Sequence, residues 1–270
     1  MNKKPLITFT SDFGVQSQGV GMMEGAAFNI NPEIKVIHLA HGIPDFDIIT
    51  GARILETVFY LPVGFHVCVV DPGVGGKRKC LAIKVKRGDY LIGPDNGVLI
   101  PAARRLGGVE KVAELQNKKY MAPCVSPIFH GRDIFAPAAA WLSRGVKLEE
   151  LGPILDRQAL AAAPYEEATA KGNIIEARII SVNKFGSIHL NITHQLWGEW
   201  KLNFQDVVQL EFGECKLRLL VVNVFGDVMV GEPLIMKDDY GRIQVSINQG
   251  SFADEYPIEI GQKVLVKKLK

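Results

Sequence analysis

This sequence is poor in the features that most quickly betray a function. Only 4 of its 270 residues are cysteines, Cys68, Cys80, Cys124 and Cys215, and no two stand in C-x-x-C spacing. That argues against a cysteine zinc site and a disulfide framework, and points to reduced thiols in a cytoplasmic protein. Long apolar runs are missing too. The start, MNKKPLITFTSDFG, holds an apolar stretch too short for a secretion signal and far too short to span a bilayer, so no membrane partner is expected. Neither sign of charge dominates. With 31 Lys and Arg against 29 Asp and Glu, and no basic block, there is no footprint for nucleic acid, and none is expected as a partner. No repeat or low-complexity tract stands out, and 47% hydrophobic with 22% charged residues is ordinary globular composition.

Several familiar motifs are present only in fragments. In VVDPGVGGKRK, Val69 to Lys79, a P-loop would need a glycine where Asp71 stands and Ser or Thr where Arg78 stands. A carboxylate there would repel phosphate. Asp12-Phe13-Gly14 carries the letters of a kinase motif but lies near the start, with no glycine-rich loop, strand lysine or catalytic loop before it. Gly19-Val-Gly21-Met-Met-Glu-Gly25 has one residue too many for dinucleotide binding. His38 and His41 fall at a strand end, where residues three apart face opposite sides, and no acidic cluster accompanies them, so no metal is expected.

What the chain does contain is rhythm. LITFT, IKVIHL, FHVCVV and LAIKV read as buried strands, with helical apolar spacing in GVGMMEGAAFNI and DIITGARILETVFYL between the first three. Strand and helix in alternation predict a mainly parallel sheet covered by helices over residues 1–160. Small and charged residues over 161–172 read as a linker. Over 173–270 the segments NIIEARIISV, KLRLLVVNVF, EPLIMK, GRIQVSIN and QKVLVKK predict a small β-barrel or sandwich. The fold class is therefore α/β with an appended β domain.

Ligands in such sheets bind beyond the carboxyl ends of the strands, and Asp12, His41 and Asp71 all fall there. Asp71 and Arg78 flank a glycine-rich loop that would let them meet and hold a water; a plain ion pair clasping a hairpin turn competes with that reading. His130 precedes a helix that Asp133 would cap, a position suited to proton handling or simply to a solvent-exposed loop. Gly93-Pro-Asp95-Asn96-Gly97 is a turn by composition.

Taken in order, Thr-Ser-Asp12-Phe-Gly, His41-Gly-Ile-Pro44, Val-Val-Asp71-Pro-Gly-Val-Gly, Gly-Pro-Asp95-Asn96-Gly, Phe129-His130-Gly-Arg-Asp133 and Asn183-Lys-Phe185-Gly186 resemble the S-adenosylmethionine hydroxide adenosyltransferases, relatives of the fluorinase and chlorinase. The resemblance spans essentially the whole chain. It implies hydrolysis of S-adenosylmethionine to adenosine and methionine by water attacking the ribose 5′ carbon, without metal or redox cofactor. Asp71, Arg78 and His130 match the residues credited with activating that water, and Asp12 the residue for the ribose hydroxyls. Phe46 and Phe185 suit an adenine ring or a sulfonium, with ordinary core packing as the competing reading. Asn183, Ser187 and Ser246 complete the implied substrate contacts. The chain departs from the pattern where Asn183 replaces an aspartate and Ser187 an asparagine, and where Ser17 and Gly19 replace an Asp and a Tyr. The resemblance further implies a homotrimer with sites at subunit interfaces. Two alternatives stand beside it: a halogenase-like enzyme, which the charge of Asp71 opposes, and a non-catalytic adenosine or nucleoside binder.

Overall fold

The computed structural model describes residues 4–269, which fall into two compact units, one ending at Pro164 and the other starting at Tyr165. In the first unit the strands are β1 (Leu6–Ser11), β2 (Lys35–Ala40), β3 (Phe65–Val69), β4 (Cys80–Val85), β5 (Tyr90–Pro94) and β6 (Val109–Glu114). They form one six-stranded sheet in the order β2-β1-β3-β5-β4-β6. The pairs β1–β2, β1–β3 and β3–β5 are parallel, while β4 runs antiparallel to both its neighbours. The rhythm of the sequence thus predicts the parallel half but not the reversal at β4, whose short loop to β5 allows a hairpin.

Helices α1 (Gln18–Ile30) and α4 (Ala136–Ser143) cover one face. There Met23 and Ala27 of α1 and Ala138 to Ala140 of α4 share a core with Ile7 and Phe9 of β1 and Val67 and Val69 of β3. The alternation of the strands sends Thr8 and His66 to the other face, where α2 (Ile48–Leu55) packs on β1 and β3 and against α3 (Ile100–Arg105). Ser17 and Asp47 start α1 and α2 by accepting from the amides of Gly19 and Thr50. The helical pattern running to Leu61 gives an α-helix only to Leu55 and a tighter 3₁₀ turn over Glu56–Tyr60. β2, expected to be buried, is instead an edge strand with Lys35, Ile37 and His38 exposed.

The second unit contains β7 (Thr169–Lys171), β8 (Ile174–Val182), β9 (Ile188–Thr193), β10 (Val207–Phe212), β11 (Cys215–Val221), β12 (Pro233–Lys237), β13 (Arg242–Ile247) and β14 (Lys263–Lys268), with short helices α5 (His194–Glu199) and α6 (Phe252–Glu255). Neighbours run β14-β10-β11-β12-β13-β9-β8-β7, and β14 also pairs with β8, so seven strands close into a barrel with β7 hung on β8. Part of the stretch expected as a linker is therefore the strand β7. Branched aliphatic residues such as Ile179, Leu190, Val208, Val245 and Val264 fill the interior. Among the described residues no helix is long and apolar enough to cross a membrane, and all four cysteines are free thiols.

Candidate active site

The chain leaves β1 for β2 on one side and returns from β2 to β3 on the other, so the sheet order reverses between β1 and β3. Their ends are level, Ser11 pairing with Val69. Asp12 and Asp71 therefore emerge side by side at the switch point, where open α/β sheets bind ligands. A pocket of about 250 Å³ opens there, walled by Asp12, Phe46, Asp71, Phe129 and His130 among others.

The loop from Asp71 to Lys79 brings Arg78 back to Asp71. The Arg78 Nε lies 3.0 and 2.9 Å from the two carboxylate oxygens, and Nη2 also donates to Oδ2. The same Nη2 sits 2.8 Å from His130 Nδ1, and Nη1 lies 3.0 Å from the Cys80 sulfur. β5 separates β3 from β4 in the sheet, so this pair does not clasp a hairpin. What permits the closure is glycine. Gly75 has φ +74°, and a Cβ there would lie 2.3 Å from the carbonyl oxygen of Pro127, on the segment that delivers His130. Arg78 is not a pocket wall; it ties the two that are.

His130 sits where that segment enters a π-helical turn, Gly131–Phe135, ahead of α4. Asp133, expected as a helix cap, is instead buried within the turn, accepting from the Ser126 amide at 2.8 Å and pairing with Arg132. A guanidinium offers only donors, so His130 Nδ1 must present its lone pair and the ring proton must sit on Nε2. Burial and then the Arg78 charge hold this imidazole below its ordinary pKa, in the neutral form. Burial opposes the charge on Arg78, but its hydrogen bonds to the Asp71 carboxylate, together with the nearby Cys80 sulfur and the charge of Asp71, outweigh it and raise the guanidinium's pKa. Burial raises the Cys80 thiol. The His130 acceptor is thus already occupied, and what remains is an N–H. Asp71 Oδ1, with one donor on it, keeps acceptor capacity.

Asp12 Oδ2 accepts from the Phe46 amide at 3.0 Å. Burial lifts the Asp12 carboxyl above its usual value, against the pull of that amide. Phe46 itself is 66% exposed and has φ 64°, a left-handed conformation that costs a bulky residue free energy and recurs at functional sites.

The two histidines expected to face opposite sides come together. His38 Nδ1 and His41 Nε2 are 2.8 Å apart, because β2 ends at Ala40 and His41 belongs to the turn beyond it. An acidic residue is present as well, Glu24 at 3.2 Å from His38 Nε2. Among the described residues there is still no group of three or more His, Cys, Asp or Glu that could hold a metal.

The remaining substrate-binding candidates lie together in the second unit. Asn183 Oδ1 accepts from the amides of Phe185 and Ser187 at 3.0 and 3.1 Å, so this oxygen is committed to shaping the β8–β9 turn. The turn presents Phe185, 66% exposed, beneath the Lys184 ammonium. Ser187 is buried, and the pairing of Val245 with Ile188 sets it across from Ser246 of β13. The Ser246 hydroxyl is buried without a hydrogen-bond partner. Sequence reasoning missed Cys80 as a neighbour of Arg78 and Ser11 as the partner of His41; the first stands two residues beyond Arg78, the second just before Asp12.

Residues 7–152 match the SAM hydroxide adenosyltransferase N-terminal domain and residues 177–265 its C-terminal domain. The chain is 35% identical to the (R)-S-adenosyl-L-methionine hydrolase of Salinispora tropica over 98% of this chain and 99% of that one. A fluorinase from an Actinoplanes species is 25% identical over 99% of both. The crystal structure of an uncharacterized conserved protein from Thermotoga maritima superimposes with a TM-score of 0.89 at 30% identity, covering 97% of this chain and 100% of the other. Both units and the order of motifs between them place the chain in the SAM hydroxide adenosyltransferase family.

Proposed function

We propose that this protein hydrolyses S-adenosyl-L-methionine to adenosine and L-methionine, with Asp71, Arg78 and His130 orienting the attacking water. The observation that carries the reading is that Arg78 bridges Asp71 and His130 while only the latter two line the pocket. Water held there would accept from His130 Nε2–H and donate to Asp71. Its free lone pair then attacks the 5′ carbon as the carbon–sulfur bond breaks. The bonding pair goes to the sulfonium sulfur, which leaves as the methionine thioether, and the proton lost from the new hydroxyl goes to Asp71. The leaving group is already cationic, so no general acid is needed. The site's task is orientation and exclusion of bulk water.

Asp12 binds the ribose hydroxyls in this reading, and Phe46 offers a face to adenine or the sulfonium. A volume of about 250 Å³ lies under the ~300–1,000 Å³ usual for ligand sites. That supports a further wall from a neighbouring copy, as in the proposed homotrimer. Asn183, Phe185, Ser187 and Ser246 of the second unit are the residues we assign to that wall. Four unpaired thiols support a reducing compartment, the cytoplasm. A halide nucleophile is disfavoured, because it would sit against the Asp71 carboxylate.

Turnover of S-adenosylmethionine in oxygen-18 water tests the proposal. Label is expected in the 5′ hydroxyl of adenosine, and Asp71→Asn and His130→Ala are expected to suppress it. Release of methylthioadenosine, a halide-dependent product, or nucleoside binding without turnover would overturn it.

A further inference from the structure

A chain of hydrogen bonds runs from the surface to the residue preceding Asp12. Glu24 on α1 lies 3.2 Å from His38 Nε2; His38 Nδ1 lies 2.8 Å from His41 Nε2; His41 Nδ1 lies 2.7 Å from the Ser11 hydroxyl. Its outer half, Glu24 and His38, is about one-third accessible, while His41 and Ser11 at its inner end are buried. The chemistry of the ends sets its direction. A carboxylate only accepts, so a neutral His38 carries its proton on Nε2 and presents a bare Nδ1. His41 then donates from Nε2 and accepts at Nδ1 from the Ser11 hydroxyl. The reverse order would set a bare His38 nitrogen against the Glu24 carboxylate. It would also strand the buried Ser11 proton without this acceptor.

At its inner end the chain meets the loop that carries Asp12. The Ser11 oxygen accepts from the Phe13 amide at 3.4 Å, and the His41 carbonyl accepts from the Gly14 amide at 2.6 Å. His41 therefore grips both sides of Asp12, once by its ring through Ser11 and once by its backbone. Asp12 in turn accepts from the Phe46 amide, on the stretch that follows His41. The ring of His38 is itself held, stacked on Phe9 at 6.0 Å between centroids.

We infer that Glu24, His38, His41 and Ser11 form a one-way hydrogen-bond relay that positions the Asp12 loop, making His41 a positioning residue for nucleoside binding. The inference rests on Asp12 contacting the ribose, as proposed above. Neither histidine touches the reacting atoms. Their effect falls on how well the loop is preorganised, and hence on affinity.

The test uses the full chain with steady-state kinetics on S-adenosylmethionine, calorimetry with adenosine, and nitrogen-15 NMR of the histidine rings. Both rings are expected as the Nε2–H tautomer. His41→Ala should raise KM and weaken adenosine binding roughly tenfold, the effect of losing one well-buried hydrogen bond, with kcat within about twofold. Glu24→Gln, on the surface and safe for folding, should shift KM in the same direction by about threefold and admit the other tautomer at His38. Ser11→Thr, which keeps the hydroxyl, should restore what Ser11→Ala loses. Amide exchange at Gly14 and Phe46 should quicken in His41→Ala and Glu24→Gln. A fall in kcat with KM unmoved, Nδ1–H rings in the wild type, or a Glu24→Gln protein like wild type in every readout would overturn the relay. If the wild type neither binds adenosine nor turns over substrate, the functional reading fails instead, and tautomers and amide exchange decide the relay on their own.

Discussion

Among the described residues of the first unit, two clusters are built from the same three kinds of side chain, one open to the switch-point pocket and the other centred on a fully buried histidine and aspartate. Asp71, Arg78 and His130 line or back the switch-point pocket. Asp89, Arg87 and His66 make the other. There His66 Nε2 lies 3.0 Å from Asp89 Oδ1 and its Nδ1 3.0 Å from the Thr8 hydroxyl. Arg87 donates to both Asp89 oxygens and to the carbonyls of Val58 and Phe59, and Asp89 also takes the Gly64 amide. His66 and Asp89 side chains are wholly buried, and every polar atom of the His66 ring is spent. Residue identity does not separate a site from a strut; leftover hydrogen-bonding capacity facing solvent does. In the pocket cluster that remainder is one imidazole N–H and one carboxylate lone pair.

The comparison breaks most sharply by removing the cation of the open cluster. Arg78→Ala should cut turnover by about 10³-fold, the scale of a lost proton-handling contact, since Asp71 and His130 lose their common anchor. Because Asp71 is nearly buried and loses its cation, the melting temperature should fall as well, so turnover is read per folded molecule. Asp89→Ala strips the sealed cluster of its charge and leaves Arg87 and His66 unmatched, which should cost about 3–5 kcal/mol of stability in denaturant titration. Activity per folded molecule should survive.

A third measurement sharpens the contrast through pH. In the proposed mechanism His130 acts as a neutral ring whose Nδ1 accepts from Arg78, and its pKa lies below the ordinary 6.5. Acidification puts a proton on Nδ1 against the guanidinium. kcat/KM should therefore hold through neutral pH and fall only below the usual histidine range, with the loss abolished in His130→Gln. The smallest effect expected is at Phe46. Glycine there relieves a left-handed strain of about 1–2 kcal/mol, so Phe46→Gly should raise stability slightly while weakening nucleoside binding.

Much of the site was legible because strand ends and glycines leave marks in a sequence. Asp12 and Asp71 could be placed beyond strands from apolar runs alone, and the glycines of the loop announced its sharp reversal. The pairing of Arg78 with Asp71 was foreseeable from that loop; its reach to His130, 52 residues on, was not, since it depends on tertiary packing such as the close approach of Gly75 to Pro127. Tautomer logic was equally hidden, because it depends on which nitrogen meets the guanidinium. The His38–His41 contact was missed by extending a strand rule one residue past the strand. In the second half, five of the eight strands were readable as apolar segments, but β7, β9 and β10 were not singled out. Thr169–Lys171 in particular carries no apolar signal, and only its pairing with β8 makes it a strand.

The seam of the barrel has a consequence for how the chain is born. β8 stays half-paired until β14 arrives, with Ile174 waiting for Lys267. A ribosome must therefore release nearly the whole second unit before its hydrogen-bond ring can shut, and until then a bare edge is open to other strands. The first unit bears no such delay, its sheet being complete once β6 has emerged. Synthesis would thus pass through a stage in which the aspartate–arginine–histidine pocket already exists while the barrel is still an open ribbon.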